Sequence, residues 1–425
     1  MSAKRSIICH KKRLRSSSHV KGSLALALLA GSCVLPLARA QAADGATFDL
    51  GDGITFNIGT GIRTSVSAVS AFAPSAGDAL GGDGDSTIAR YNLDDFRIYS
   101  SLSLNQNIKF TVDTERANPG SSGPGIQLLD AIAQFEPIDE VNVWVGQMLP
   151  PSDRSNLDGP FYLSEWYYPG IVSQYPSRFF GRDIGGTVWG KVFDKKIVYS
   201  VGIYAGHNWQ EFASSENQNP LFAARVAYNF WDPEPAPAYY TGSTYYGKYD
   251  ILTVAFAGQF QHDGVGPATW VSPTFHPADY AAWNIDALME KKIGDYGVIT
   301  LEGAFYDYNT GGTTDFNYGV VPVIPPGFNA PGTTAMVGGI TQGTAYMLSA
   351  AYLIPYDVGP GKFQPYARWQ EFTATVTNTS ATQFDAGVNY VIKGPDLRVT
   401  FDWAHNDASF TPISNRWVVG LQVQL

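Results

Sequence analysis

Residues 416 to 425 read RWVVGLQVQL, and apolar and polar side chains alternate along the stretch. The apolar positions are Trp417, Val419, Leu421, Val423 and Leu425. Side chains of a β-strand point to opposite faces in turn, so a period of two predicts a strand with one apolar and one polar face. The chain therefore ends in a two-faced β-strand.

The same alternation recurs along the chain, for example in ITFNIGTGIRTSV at 54–66. No run of 18 apolar residues follows the N-terminal region, so no membrane-spanning helix is predicted there. We predict sixteen strands, near 53–68, 91–104, 108–116, 126–136, 141–149, 184–192, 197–206, 220–231, 247–261, 281–291, 297–308, 343–354, 363–373, 383–392, 396–404 and 415–425.

The connections between these strands alternate in length. Short gaps such as 105–107 and 393–395 are followed by long ones such as 150–183 and 309–342. A soluble sandwich has no reason to sort its loops in this way, whereas outer-membrane barrels have short periplasmic turns and long extracellular loops. We therefore predict an all-β transmembrane antiparallel β-barrel of about 16 strands. One gap on the short side, 232–246, is too long and too rich in proline for this pattern.

The N-terminus has the features of an export signal. Basic residues precede the apolar run LALALLAGSCVLPLA, and the small-residue site Ala38-Arg39-Ala40 follows it. This order predicts a cleaved secretory signal peptide over 1–40, a short periplasmic segment over 41–52 and a barrel over 53–425. The expected location is the outer membrane of a Gram-negative bacterium.

Cleavage changes the charge and the cysteine content. It removes eight of the 28 Lys and Arg, which leaves 20 against 38 Asp and Glu, a net charge of −18. So acidic a chain is not expected to bind nucleic acid. Cys9 and Cys33 are both removed, so no disulfide or cysteine metal site is predicted.

The long gap 150–183 is unusually aromatic for a loop, with a Trp and several Tyr and Phe. We expect this third long loop to fold inward and to narrow a lumen wide enough for water. Its charged residues are the candidates for the constriction: Asp153, Arg154, Asp158, Glu165, Arg178, Arg182 and Asp183.

Several segments resemble the phosphate-selective porin O and P family. They are VGQMLPPSDRSNLDGPF (145–161), GRDIGGTVWGKVF (181–193), YSVGIYAG (199–206), LFAARVAYNFW (221–231), GKYDILTVAFAGQF (247–260), KFQPYARWQEF (362–372) and FDAGVNYVIKGPDLRVTFDW (384–403). The resemblance implies a sixteen-stranded, usually trimeric, outer-membrane channel with an inward third loop. It does not establish the solute, because phosphate selectivity in that family is associated with rows of Arg and Lys along the pore.

The polar face of the strands carries both signs of charge. The candidate pore-wall residues are Arg63, Arg97, Lys109, Asp113, Glu115, Asp130, Lys191, Arg225, Asp286, Glu302, Arg368, Arg398, Asp402 and Arg416. Rings of Arg and Lys select anions and rings of Asp and Glu select cations, so a mixed wall predicts a weakly selective pore. An anion- or phosphate-selective channel is the alternative. For each residue, pairing with a neighbour across the sheet without a role in transport is the simpler interpretation.

Enzymatic motifs such as HExxH, GxSxG and a phosphate-binding loop are absent from the sequence, and neither an enzyme nor a cofactor is predicted. The stretches GGDGD (81–85) and NTGGTTD (309–315) have oxygen ligands suited to calcium, but such residues are common in loops, and no metal is predicted.

An exported β-rich adhesin or binding protein is a less favoured alternative to the porin. The expected partners are outer-membrane lipid and lipopolysaccharide, the barrel-assembly machinery through strand 415–425, small solutes and ions, and two further copies in a homotrimer.

Overall fold

The computed structural model describes most of the chain beyond the expected signal peptide, which lies outside the described residues. The described residues are 45–72, 86–116, 125–175, 181–206, 219–265, 278–312, 342–375, 378–408 and 411–425. None of the helices in this part of the chain is long and apolar enough to cross a membrane.

Strands make up nearly all of the regular structure. They are β1 Ala46–Gly51, β2 Ile54–Phe72, β3 Ser86–Ser103, β4 Ile108–Arg116, β5 Ile126–Ile138, β6 Val141–Met148, β7 Asp183–Val192, β8 Ile197–Tyr204, β9 Leu221–Asn229, β10 Ile251–Val265, β11 Ala278–Lys292, β12 Val298–Asn309, β13 Gly343–Leu353, β14 Lys362–Ala374, β15 Thr379–Val391, β16 Leu397–Ala408 and β17 Thr411–Gln424. A single helical turn, α1 (Arg154–Asp158), lies between β6 and β7.

Strands β2 to β17 form one closed antiparallel sheet, in which each strand pairs with its neighbours along the chain. Pairing of β17 with β2, with Val419 opposite Val66, closes the ring. The prediction of a sixteen-stranded barrel is confirmed. β15 and β17 begin earlier than expected, so the connections 375–378 and 409–410 are shorter than the predicted loops.

Strand β1 forms a hairpin with the start of β2, with Phe48 opposite Phe56 and their rings stacked at 6.3 Å. The turn between them uses Gly51 and Gly53, both at positive φ, which a residue without a Cβ adopts without strain. β17 pairs with β2 only as far as Gly61. β1 therefore covers the edge of β2 beyond the end of β17.

The two faces of the sheet differ in polarity as the alternation predicts. In β9, Phe222, Val226 and Tyr228 are 49%, 46% and 44% exposed on the outside, whereas Arg225 and Asn229 are buried on the inside. A soluble sandwich would bury its apolar faces against each other. The outward apolar face is instead the one that a barrel presents to lipid.

Connections at one end of the barrel, here called the short-turn end, are brief, such as 139–140 and 193–196. The connection between β9 and β10 is the exception at this end, since it spans 230–250. The longer connections lie at the opposite end, and the one between β6 and β7 contains α1. The two unusual connections enter the lumen and form the candidate site.

Candidate functional site: the lumen and the two connections that enter it

The connection 150–183, here called the lumen loop, folds into the barrel as expected. It is described over 150–175 and from 181 onward. Phe161 and Trp166 are 0% exposed and Leu163 is 1% exposed, although they belong to a connection and not to a strand. The interior of the barrel is where the loop buries these side chains. The aromatic composition of the loop is therefore explained by packing inside the lumen.

Side chains of the barrel wall hold the backbone of the lumen loop. Arg398 of β16 donates to the carbonyl of Leu163 at 2.6 Å, and Asn389 of β15 donates to the carbonyl of Ser164 at 2.8 Å. Five further wall side chains donate to loop carbonyls in the same way. The donor and carbonyl residues are Gln422 and Phe161, Arg63 and Trp166, Tyr308 and Val172, Arg225 and Ser152, and Gln259 and Pro151. A loop without regular structure needs such donors, because buried carbonyls are costly when unpaired.

Two wall glycines make room for the rings of the loop. A Cβ atom on Gly420 would lie 2.5 Å from the Trp166 ring, and one on Gly61 would lie 2.7 Å from Phe161. Arg63 stacks on the same Trp166 ring at 4.2 Å. The close approach of the loop to β17 and β2 therefore requires glycine at these two positions.

We expect Gly420→Val to lower the free energy of unfolding by about 1–3 kcal/mol, because inserting methyl groups into a packed site forces rings and backbone to shift. Urea unfolding of the protein in lipid vesicles measures this loss. In the Trp166→Ala background the penalty should largely disappear, since the two residues are in contact and their effects are coupled. Gly258→Val is the control, because a Cβ there meets nothing closer than 3.6 Å. An equal loss at both glycines would contradict the prediction.

Asp153 and Arg154 of the lumen loop lie deep in the lumen. Asp153 accepts hydrogen bonds from Tyr306 at 2.9 Å and Ser173 at 3.1 Å, and burial raises its pKa to about 6. Arg154 pairs with Glu234 and lies 3.7 Å from Asp286. The two residues are neighbours in sequence but have different partners, and among the described residues no Lys or Arg forms an ion pair with Asp153.

The other predicted loop charges are spread around the lumen. Asp158 accepts a hydrogen bond from Ser243. Glu165 accepts one from Ser349 and lies 3.5 Å from Arg368. Arg182 pairs with Asp130 at 3.1 Å. Asp183 is the first residue of β7 and accepts from the backbone N–H of Gly206. Arg178 lies outside the described residues. The structure therefore does not gather the predicted loop charges into one ring.

The predicted wall residues face the lumen, and most of the bases pair with acids on nearby strands, which are adjacent except for Arg225 of β9 and Asp286 of β11, where β10 lies between. The pairs are Arg63–Asp95, Arg97–Glu115, Lys109–Glu136, Arg225–Asp286 and Arg368–Asp385. Arg416 stacks on Tyr167 at 3.9 Å, with Asp385 and Asp402 each 3.9 Å away. Lys191 bonds the carbonyl of Ala236, Asp113 accepts from the N–H of Ser100, and Glu302 is buried. The wall thus combines both signs in close contact.

A second connection enters the lumen from the short-turn end. Residues 232–246, here called the second insert, bury Ala236, Tyr239 and Thr241 to 5% exposure or less. The Tyr239 hydroxyl donates to the carbonyl of Leu149 at 2.7 Å. The sequence showed only that this gap is too long and too rich in proline for a turn. The aromatic residues of this gap were the feature of the sequence from which its burial inside the barrel could have been predicted.

Glu234 and Asp95 are charged lumen residues that the sequence prediction missed. Glu234 lies on the second insert, where its pKa is below the ordinary value: burial, the largest effect, raises it, but the Arg154 guanidinium and the hydrogen bonds from Arg154, Tyr245 and Thr253 together lower it by more. Asp95 lies two residues before Arg97 on β3 and pairs in the same uninterrupted register, so the alternation that placed Arg97 inward also predicts Asp95 there. The β-bulge between Arg63 and Thr64 affects only the β3 residues before Asp95.

Neither of the two stretches with oxygen ligands suited to calcium is described in full. Residues 81–85 lie outside the described residues, and so does the end of 309–315. Elsewhere, His262, Asp263 and Asp279 bring their ligand atoms within 4.8 Å of one another at the long-loop end. The imidazole lies 2.7 Å from Asp279 and 3.4 Å from Asp263. Hydrogen bonding among these exposed side chains accounts for the group without an ion.

The fold is shared with solved outer-membrane proteins. OmpT of Vibrio cholerae, folded in vitro and described as a trimer form, is 12% identical and matches 88% of this chain with a TM-score of 0.50. An anion-selective porin from Comamonas acidovorans is 11% identical over 88%, with a TM-score of 0.51. OmpF of Salmonella typhi is 11% identical over 89%, with a TM-score of 0.53. Each match covers 100% of the solved chain.

No family model matches the chain, and no curated protein matches it either. At the identities above the likeness shows the fold, which is that of Gram-negative outer-membrane porins and agrees with the expected location. The narrower resemblance to the phosphate-selective porin O and P family stays a prediction.

Proposed function

We propose that the protein is an outer-membrane channel through which small hydrophilic solutes and ions diffuse passively, with the lumen loop as a constriction. The observation that carries the proposal is the lumen loop itself, which crosses a closed barrel whose polar face is inside and whose apolar face is outside. Such a wall favours water and ions inside the barrel and lipid outside it. The proposal includes no catalytic role and no cofactor.

The arrangement of charges favours a weak preference for cations. Two arginines of the lumen loop have acidic partners, Arg154 with Glu234 and Arg182 with Asp130. Asp153, in contrast, is held by two hydroxyl groups and forms no ion pair with a described Lys or Arg. Selectivity follows the charge that remains at the narrowest point. An anion- or phosphate-selective channel would need arginines free to meet the anion, and Arg154 and Arg182 are paired.

Reversal potentials of the purified protein in a planar bilayer under a KCl gradient test this function. We expect stepwise conductance with a modest cation preference, and boiled protein serves as the inactive control. Folded protein that adds no conductance would refute the channel. Anion preference with phosphate blocking the chloride current would instead support the alternative.

We also propose the assembly and the partners. A homotrimer is proposed because OmpT, which has the same fold, is described as a trimer form. Outer-membrane lipid and lipopolysaccharide would cover the apolar outer face, and the barrel-assembly machinery would recognise strand 415–425. The alternating apolar residues of β17, which face outward in the closed barrel, support that last assignment.

A further inference from the structure

The second insert crosses the lumen near the short-turn end. On one side, Lys191 of β7 donates to the carbonyl of Ala236 at 2.9 Å. On the other side, Glu290 of β11 accepts from the backbone N–H groups of Tyr245 at 2.9 Å and Gly247 at 2.7 Å. Tyr246 continues the crossing and packs against the cluster of Val298, Leu353 and Val391 on β12, β13 and β15. The second insert therefore reaches across the barrel and does not line one wall.

Inside the lumen the second insert meets the lumen loop. Thr241 donates to the carbonyl of Arg154 at 2.8 Å, and the Arg154 guanidinium donates to the carbonyl of Gly242 at 3.1 Å. The backbone N–H of Ser243 donates to the carbonyl of Tyr162 at 3.2 Å. Two connections from opposite ends of the barrel are thus joined by several hydrogen bonds. This junction lies on the path of a solute through the barrel.

Two ion pairs lie at the junction. The Arg154 guanidinium makes two hydrogen bonds to the Glu234 carboxylate, at 2.9 and 2.5 Å. Arg225 makes two to Asp286, at 2.6 and 2.7 Å. Arg154 is 1% exposed and the Glu234 side chain is 8% exposed. Where water is largely excluded, removal of one member of an ion pair leaves a charge that interacts strongly with nearby ions, because little solvent screens it.

We propose that the second insert is a second constriction of the pore, and that Glu234 is the residue on it that determines ion preference by neutralising Arg154. This inference rests on the proposed channel function. Because Glu234 offsets Arg154, the pore shows the weak cation preference that comes from the rest of the constriction. Without that carboxylate, the guanidinium of Arg154 would attract anions at the junction.

The test uses single and double charge removals with reversal potentials as the readout. E234Q should shift the cation-to-anion permeability ratio several-fold toward anions, because Arg154 and Arg225 then have only the Asp286 carboxylate between them. R154Q should shift it several-fold toward cations, because Glu234 is then left alone. The double variant E234Q/R154Q should return near the wild-type ratio. A purely structural contact would not give shifts of opposite sign that cancel.

Asp357→Asn is the matched control, since it removes one negative charge from a short turn where that side chain is 75% exposed. It should leave the ratio unchanged. Shifts of the same sign in both single variants, or no shift in either, would overturn the role of Glu234 while the wild-type channel remains. A silent wild-type protein would instead refute the proposed function. Barrel formation by each variant is checked by circular dichroism.

Discussion

Removing residues 160–175 from the lumen loop is expected to increase the single-channel conductance several-fold. These residues include Phe161, Leu163 and Trp166, whose side chains are almost completely buried within the barrel. Their removal replaces packed side chains with water, so the water-filled cross-section of the lumen through which ions pass becomes wider. The wall donors that lose their loop carbonyls, such as Arg398, can be hydrated in the enlarged lumen. Planar-bilayer recording of purified protein measures the change.

A deletion of the same length within the long connection between β12 and β13, residues 320–335, is the control and should leave the conductance near the wild-type value. The second insert remains in place in the loop variant, so the increase should stay below that of an empty barrel. Additional shortening of the second insert should raise the conductance further. An unchanged conductance after removal of 160–175 would show that the lumen loop does not limit the flow of ions.

A charge on the outer face should strongly destabilise the barrel. Leu421 lies on β17, is 41% exposed and points away from the lumen. We expect Leu421→Arg to cost about 2–4 kcal/mol of folding free energy if the position lies near the bilayer midplane, because the charge must enter hydrocarbon. Urea unfolding in lipid vesicles gives the difference in free energy.

Tyr356→Arg is the control for this prediction. Tyr356 is 73% exposed in the connection between β13 and β14, outside the strands. The same charge placed there should cost at most about 1 kcal/mol, because the penalty falls toward the membrane interfaces. Equal costs at the two positions would mean that Leu421 does not contact the hydrocarbon region.

The pairing of lumen charges shows how far sequence reasoning extends. Arg97 and Glu115 lie directly opposite each other on β3 and β4, and so do Arg368 and Asp385 on β14 and β15. Such neighbours belong to consecutive strands, so alternation and hairpin pairing bring them together. Pairing of these charges across adjacent strands was the simpler interpretation from the sequence.

The residues that the two connections contact could be identified only from the closed barrel. Arg154 and Glu234 are 80 residues apart in sequence and lie on connections at opposite ends of the barrel. Arg398 lies on the lumen face of β16 and donates there to the carbonyl of Leu163, 235 residues away in sequence. No periodicity relates these residues, because they meet only after β2 and β17 pair and the lumen exists.

The sequence by itself determined the sixteen barrel strands, their order around the barrel and the face on which most of their side chains lie. The physical reason is that alternation is a local property, and consecutive strands joined by short turns pair with each other. The aromatic composition of the lumen loop also predicted that it folds inward, but only the tertiary structure decided that the second insert joins it and which wall donors the two connections meet. The positions of Gly420 and Gly61 against the loop rings, and of Glu234 against Arg154, are set by contacts across the barrel that no local pattern records.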